Sequence, residues 1–143
     1  MTIKFAGGFL PYIYKLDPEG FVKGELGRQR GPFVTVQNED TALLMHEEHH
    51  IKQFYVTFTL GALFLCLGYF YALPILYVVP AFMASLDFIP YTSFRKEAAA
   101  YAVSVAHGRD LESAASALSR HRYAQGDRSV AREAILTRFF GLF

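Results

Sequence analysis

A mainly α fold of the α+β kind, with short N-terminal strands, a helical core and a long apolar helical hairpin, is what three features of this chain predict. Glycine and proline recur through residues 1–37 too often for a long helix. A histidine-rich segment with helical periodicity follows at Met45-His46-Glu47-Glu48-His49-His50-Ile51-Lys52-Gln53. From Gln53 to Leu86 there is then no charged residue at all. At 143 residues the chain is read as a single domain, long enough to bury a core. Its parts are loops and short strands over 1–37, metal-site helices over 38–107 with an apolar hairpin at 53–90, and C-terminal helices over 110–143.

In the first part, Phe33-Val34-Thr35-Val36 is the clearest strand, β-branched and bounded by Gly31-Pro32 and Asn38. Phe9 to Tyr14 reads as a second, with Pro11 favouring a sheet edge. Lys23, Arg28 and Arg30 read as a solvated loop face. The helix that follows starts after Asn38 or Asp40, either of which can cap it, with Glu39 and Asp40 at its positive end. Leu43, Leu44, His46, Glu47, His50, Ile51, Phe54 and Phe58 continue it.

The apolar stretch supports three readings. Phe54 to Leu73 is long enough to span a bilayer, so a membrane-inserted hairpin is one, breaking near Pro74 and returning to about Phe88. An interfacial segment is another, and a buried hairpin or protein interface the third. Membrane contact is favoured, because few residues remain in the rest of the chain to cover so long a run. Cys66, the one cysteine, lies in this stretch and reads as a small buried hydrophobe; alone it excludes an internal disulfide and a cysteine-based zinc site.

Phe94 to His107 is the next helix, closed by Gly108 and thin with alanine. Asp110 caps another through Gln125, with Gly126 as its stop. Ser129 to Phe140 is an amphipathic helix carrying Arg132 and Arg138, suited to docking on the core or lying on a membrane. The N-terminus shows no basic region followed by a sustained apolar core, so synthesis in the cytoplasm without a cleaved signal peptide is expected, with membrane association or a place in a larger assembly. A formal charge of +1 gives no reason to expect a nucleic-acid partner.

The chemistry lies in His46-Glu47-x-x-His50. A spacing of four on a helix puts both imidazoles on one face, where they can bind one ion. Glu47, about 100° further round, can reach a metal-bound water without being a ligand, as a general base must. The plainer reading is a histidine cluster on a solvated helix. A catalytic site needs a third protein ligand. Glu97, on a separate helix able to pack beside the first, is the best candidate, against the alternative of an exposed partner for Arg95, Lys96 or Lys52. His107, Asp87 and Asp110 are weaker substitutes. Gln53 shares the histidine face and could hold a ligand in place. Tyr101, His107, Tyr91 and Arg95 are all open as groups to stabilise an oxyanion, and His49 as a proton donor or alternative ligand.

With His46, Glu47, His50, Gln53, and then Glu97 followed by Ala98 and Ala100, the sequence resembles the gluzincin-type zinc metallopeptidases. More narrowly, it resembles small bacterial and phage proteins in which a His-Glu-x-x-His-x-x-Gln helix is followed by a hydrophobic hairpin and a Glu-x-x-Ala-type helix. The resemblance covers roughly residues 34–107. It implies a zincin-like domain in which His46, His50 and Glu97 bind zinc and Glu47 activates water to hydrolyse a peptide or protein substrate. From another class, the alternative is a non-catalytic structural or interaction protein of a phage particle or membrane assembly, with residues 53–86 as its membrane or partner-binding surface.

Overall fold

The computed structural model describes residues 1–19, 27–85 and 88–141. Lys23, Leu86 and Asp87, named above, lie outside the described residues. The fold is mainly α with one small sheet.

Strands β1 (Thr2–Ala6), β2 (Leu10–Leu16), β3 (Gly27–Arg30) and β4 (Phe33–Val36) form that sheet in the order β1-β2-β4-β3. The β1–β2 and β3–β4 pairs are antiparallel, whereas β2 and β4 run parallel. Gly7, Gly8 and Gly31 make the two tight turns at φ of 58°, 82° and 58°, a region glycine enters without a Cβ clash. Alternation points Ala6, Tyr12, Tyr14, Val34 and Val36 to one face, where they bury Leu43 and Ile51 of the first helix. Tyr12 is buried, and its hydroxyl donates to Glu48 Oε1 at 2.7 Å. Burial first, and then Glu48, push that phenol's pKa well up. Glu48 is thereby tied to the sheet.

Two expectations change here. Arg28 and Arg30 stand on a strand, not a loop, because β3 pairs with β4 from Gly27 to Arg30. Pro11 lies on an inner strand rather than an edge. The reason is local: the β2–β4 ladder begins at Ile13, so Pro11 meets only β1, opposite Phe5.

Helix α1 (Thr41–Phe70) is capped by Asp40, whose Oδ1 accepts from the amides of Ala42 at 2.7 Å and Leu43 at 3.1 Å. Its 30 residues extend about 45 Å. The first half is held between the sheet and helix α3 (Pro90–Ala106). Contacts from Ala42 to Ser104, His46 to Tyr101, His50 to Glu97 and Gln53 to Lys96 run antiparallel, so α3 begins level with about residue 57 of α1. The second half of α1 extends past that level and is met by a 3-10 turn (Pro74–Tyr77) and the short helix α2 (Val78–Ser85). Ala72, at φ 51°, helps reverse the chain. Gly68 lets the return arm close in: a Cβ there would lie 3.2 Å from Leu76 Cβ.

The hairpin expected from sequence is therefore formed, with its break at the expected proline. Its surface is bare. Phe58, Leu63, Tyr69, Phe70, Ile75 and Phe82 are exposed, and so is Cys66, contrary to the buried position expected for it. Among the described residues α1 is the one helix long and apolar enough to cross a membrane, and only 6% of its most apolar window is buried.

The second core is formed by α3, α4 (Leu111–Leu118) and α5 (Arg128–Phe140) around Phe94, Ala98, Ala102, Leu118 and Ile135. Pro90 sits in the first turn of α3, where its missing N–H costs nothing, so the helix starts before Phe94. Asp110 and Asp127 cap α4 and α5. The helix from Asp110 ends at Leu118 rather than Gln125. Ser119 to Gln125 fold back in turns instead, and the Gly126 amide returns to the Ser119 carbonyl at 2.8 Å. This polar segment has no apolar face to extend the helix, and turning puts Ala124 into the core.

Candidate metal centre

The seam between α1 and α3 lies between the two cores, and there the motif residues converge. His46 Nε2 and His50 Nε2 are 3.3 Å apart, His50 Nε2 is 3.3 Å from Glu97 Oε1, and His46 Nε2 is 3.5 Å from Glu97 Oε2. Donors roughly 2.0–2.1 Å from one tetrahedral ion would sit about 3.3–3.4 Å from each other. These three side chains are thus placed as ligands of one metal ion would be, and together they could hold one. The half-buried Glu97 carboxylate faces the two imidazoles.

The α1–α3 packing creates this arrangement. Ser104 is buried and donates to the Ala42 carbonyl at 2.8 Å, locking the upper end of the seam. Ala100 is buried and stands three residues from Glu97 and four from Ser104 on the same side of α3, so the helix has little bulk there and the backbones approach closely. Gln53 joins the lower end: its Oε1 is 3.0 Å from His50 Nδ1, and its amide donates to the Lys96 carbonyl at 3.4 Å. With Gln53 accepting from Nδ1–H, the Nε2 lone pair of His50 points at the other ligands. His46 Nδ1 is buried without a hydrogen-bond partner among the described residues, so the polar contacts of this ring lie on its Nε2 side.

Charge follows from the same geometry. Burial pulls His46 below the ordinary histidine range despite its hydrogen bond to Glu97. Burial opposes charge on His50 too, but the Glu97 hydrogen bond and the charges of Glu97 and Glu47 outweigh it and raise its pKa. Burial alone would raise Glu97; hydrogen bonds and charge from the two histidines hold it far below the usual carboxylate range.

Glu47 is buried beside β3. A Cβ on Gly27 would run into its carboxylate, so this glycine lets the strand lie directly against the motif. A cleft of about 240 Å³ reaches His50 and Glu97 between Gln29 of β3, Phe54 and Thr57 of α1, and Ser93 of α3. Gln29 and Gly27 were not singled out by sequence. The only signal was a glycine where a backbone must approach a side chain, lost among many glycines.

The other candidates divide. Tyr101 stacks edge-on against His46 with ring centroids 4.5 Å apart, and the Arg109 guanidinium lies 5.0 Å from the centre of its ring. Burial and then Glu97 push its phenol up, so it stays protonated at neutral pH. His107 is exposed at the end of α3 with Nδ1 on the Val103 carbonyl at 2.8 Å, away from the ligands because it lies past the Ser104 contact. Asp110 is occupied as a cap. His49, Tyr91 and Arg95 line a separate groove between α3 and α5, and burial lowers His49 to about 4. Comparison with known protein families, with curated proteins and with solved structures finds no match to this chain.

Proposed function

We propose that this chain is a membrane-associated, zinc-dependent peptidase of the gluzincin kind. The observation that carries the reading is the convergence of His46, His50 and Glu97 at ligand-like separations, with Glu47 next to His46 on the same helix. Two imidazoles and a carboxylate make the donor set of a catalytic rather than a closed structural zinc site. Zinc held there would supply Lewis acidity, polarising a carbonyl and acidifying a water molecule. Glu47 would accept the proton of the attacking water and deliver it to the leaving amine. Tyr101, protonated beside His46, is the nearest of the proposed oxyanion donors.

Substrate placement has its own support. The outer edge of β3 has no strand partner among the described residues, and Gln29 of β3 lines the cleft to the ligands. An extended peptide added along that edge would run past His50 and Glu97. Membrane association is supported by the apolar arm, whose exposed side chains a bilayer would cover.

The test is Glu47→Gln. It should keep stoichiometric zinc and lower hydrolysis across a broad peptide library by roughly a hundredfold or more. Hydrolysis at the wild-type rate would remove Glu47 from the mechanism. No zinc uptake by the wild type would remove the site itself.

A second reading, a non-catalytic interaction protein, is favoured by apolar surface beyond the arm: Ile3, Phe5 and Phe33 are exposed on the outer face of the sheet. A protein that binds zinc, oligomerises through residues 53–86 and cleaves nothing would decide for it.

A further inference from the structure

At the foot of the apolar arm, α1, α3 and α5 enclose a groove of about 400 Å³, walled by Gln53, Val56 and Thr57, by Tyr91, Arg95 and Lys96, and by Arg138. Arg95 of α3 and Arg138 of α5 meet there beside Lys96, and among the described residues no carboxylate lines it. The adjoining groove adds His49 and one carboxylate, Glu133. Arg95 lies over the Tyr91 ring at 5.5 Å, which fixes the approach of its guanidinium.

The level of this groove matters. Val56 and Thr57 stand where α1 leaves the body of the protein and enters the uncharged stretch. Other cations share the level: Lys52 lies against the Gly7 turn, and Arg30 precedes Gly31, which packs on Phe54. Exposed aromatic side chains accompany them at Phe9, Tyr91 and Phe140. Cations and aromatic rings collected where an apolar segment begins match the headgroup layer of a bilayer, where both are favoured. Arg132 of α5 is paired with Glu112 at 2.9 Å and takes no part.

We propose that the groove between α1, α3 and α5 binds the phosphodiester of an anionic membrane lipid, with Arg95 and Arg138 as its donors. The proposal rests on the reading that the apolar arm enters a bilayer. It adds a lipid preference, and it would hold the metal cleft, which shares Gln53, Thr57 and Lys96 with this groove, at the membrane surface.

Vesicle flotation of the full chain tests it, with phosphatidylcholine alone and with phosphatidylglycerol added. At roughly fivefold per cation near an anionic surface, Arg95 and Arg138 together should give the wild type about a thirtyfold preference for the mixed vesicles. Arg95→Gln with Arg138→Gln should lose that preference yet float with phosphatidylcholine as the wild type does. Arg95→Lys with Arg138→Lys should retain most of it. Equal flotation of the wild type with both vesicles overturns the lipid site while leaving the membrane reading intact, as does a preference undiminished in the double glutamine variant. A wild type that floats with neither vesicle overturns both.

Discussion

Replacing Glu97 with glutamine tests the metal centre most directly, because the side chain keeps its shape and loses its charge. In the folded protein this carboxylate faces His50 Nε2 at 3.3 Å and His46 Nε2 at 3.5 Å. Apparent zinc-binding energies of about 10–16 kcal/mol, spread over four ligands, put about 3 kcal/mol on each. Glu97→Gln should therefore weaken zinc binding by roughly a hundredfold, measured at neutral pH by competition with a chromophoric chelator. The metal-free protein offers a second readout. Glu97 supplies the hydrogen bond and the nearest charge that raise His50, so the His50 titration followed by NMR should move down in the variant. Glu48→Gln is the control: Glu48 belongs to Tyr12, and its loss should leave zinc affinity unchanged. Zinc affinity in Glu97→Gln equal to that of the wild type would refute the three-ligand site.

Further outcomes follow from the same geometry. Gln53→Ala frees the His50 ring and should cost about 10- to 100-fold in zinc affinity, with calorimetry as the check; an unchanged value would reduce Gln53 to a link between helices. Zinc binding must displace a proton from His50, whose pKa is raised, but none from His46, whose pKa is lowered. Affinity should hence be flat at high pH and fall about tenfold per unit once pH drops below the raised His50 value. A slope of two would mean that both histidines are charged without metal. Ser104→Ala removes the hydroxyl bond to the Ala42 carbonyl, which keeps its partner within α1, and should destabilise the fold by about 1 kcal/mol, seen as a lower melting temperature; no change would show that the α1–α3 seam does not need this bond.

Local rules were enough for much of the chain. Asp40 and Asp110 cap helices because their short carboxylates reach free amides one turn ahead, a matter of neighbouring residues only. The hairpin and its break at Pro74 were legible for the same reason. Local rules misplaced Pro11 because the start of the β2–β4 ladder depends on a strand far along the chain. They extended α4 to Gln125 because the alternative, a polar turn closed by Gly126 on Ser119, draws its advantage from putting Ala124 into a core made elsewhere.

That His46, His50 and Gln53 share one face was readable from their spacing, since helical periodicity fixes the relative direction of side chains a few residues apart. The sequence by itself also determined that an uncharged arm follows them. Only the tertiary structure decided which carboxylate meets the histidines, that His107 does not, and that Gly27 and Gln29 of β3 border the site. Those placements depend on how closely α3 and β3 approach α1. That distance is set by packing between remote segments, through the buried Ala100 and the glycine of β3, and no local pattern encodes it.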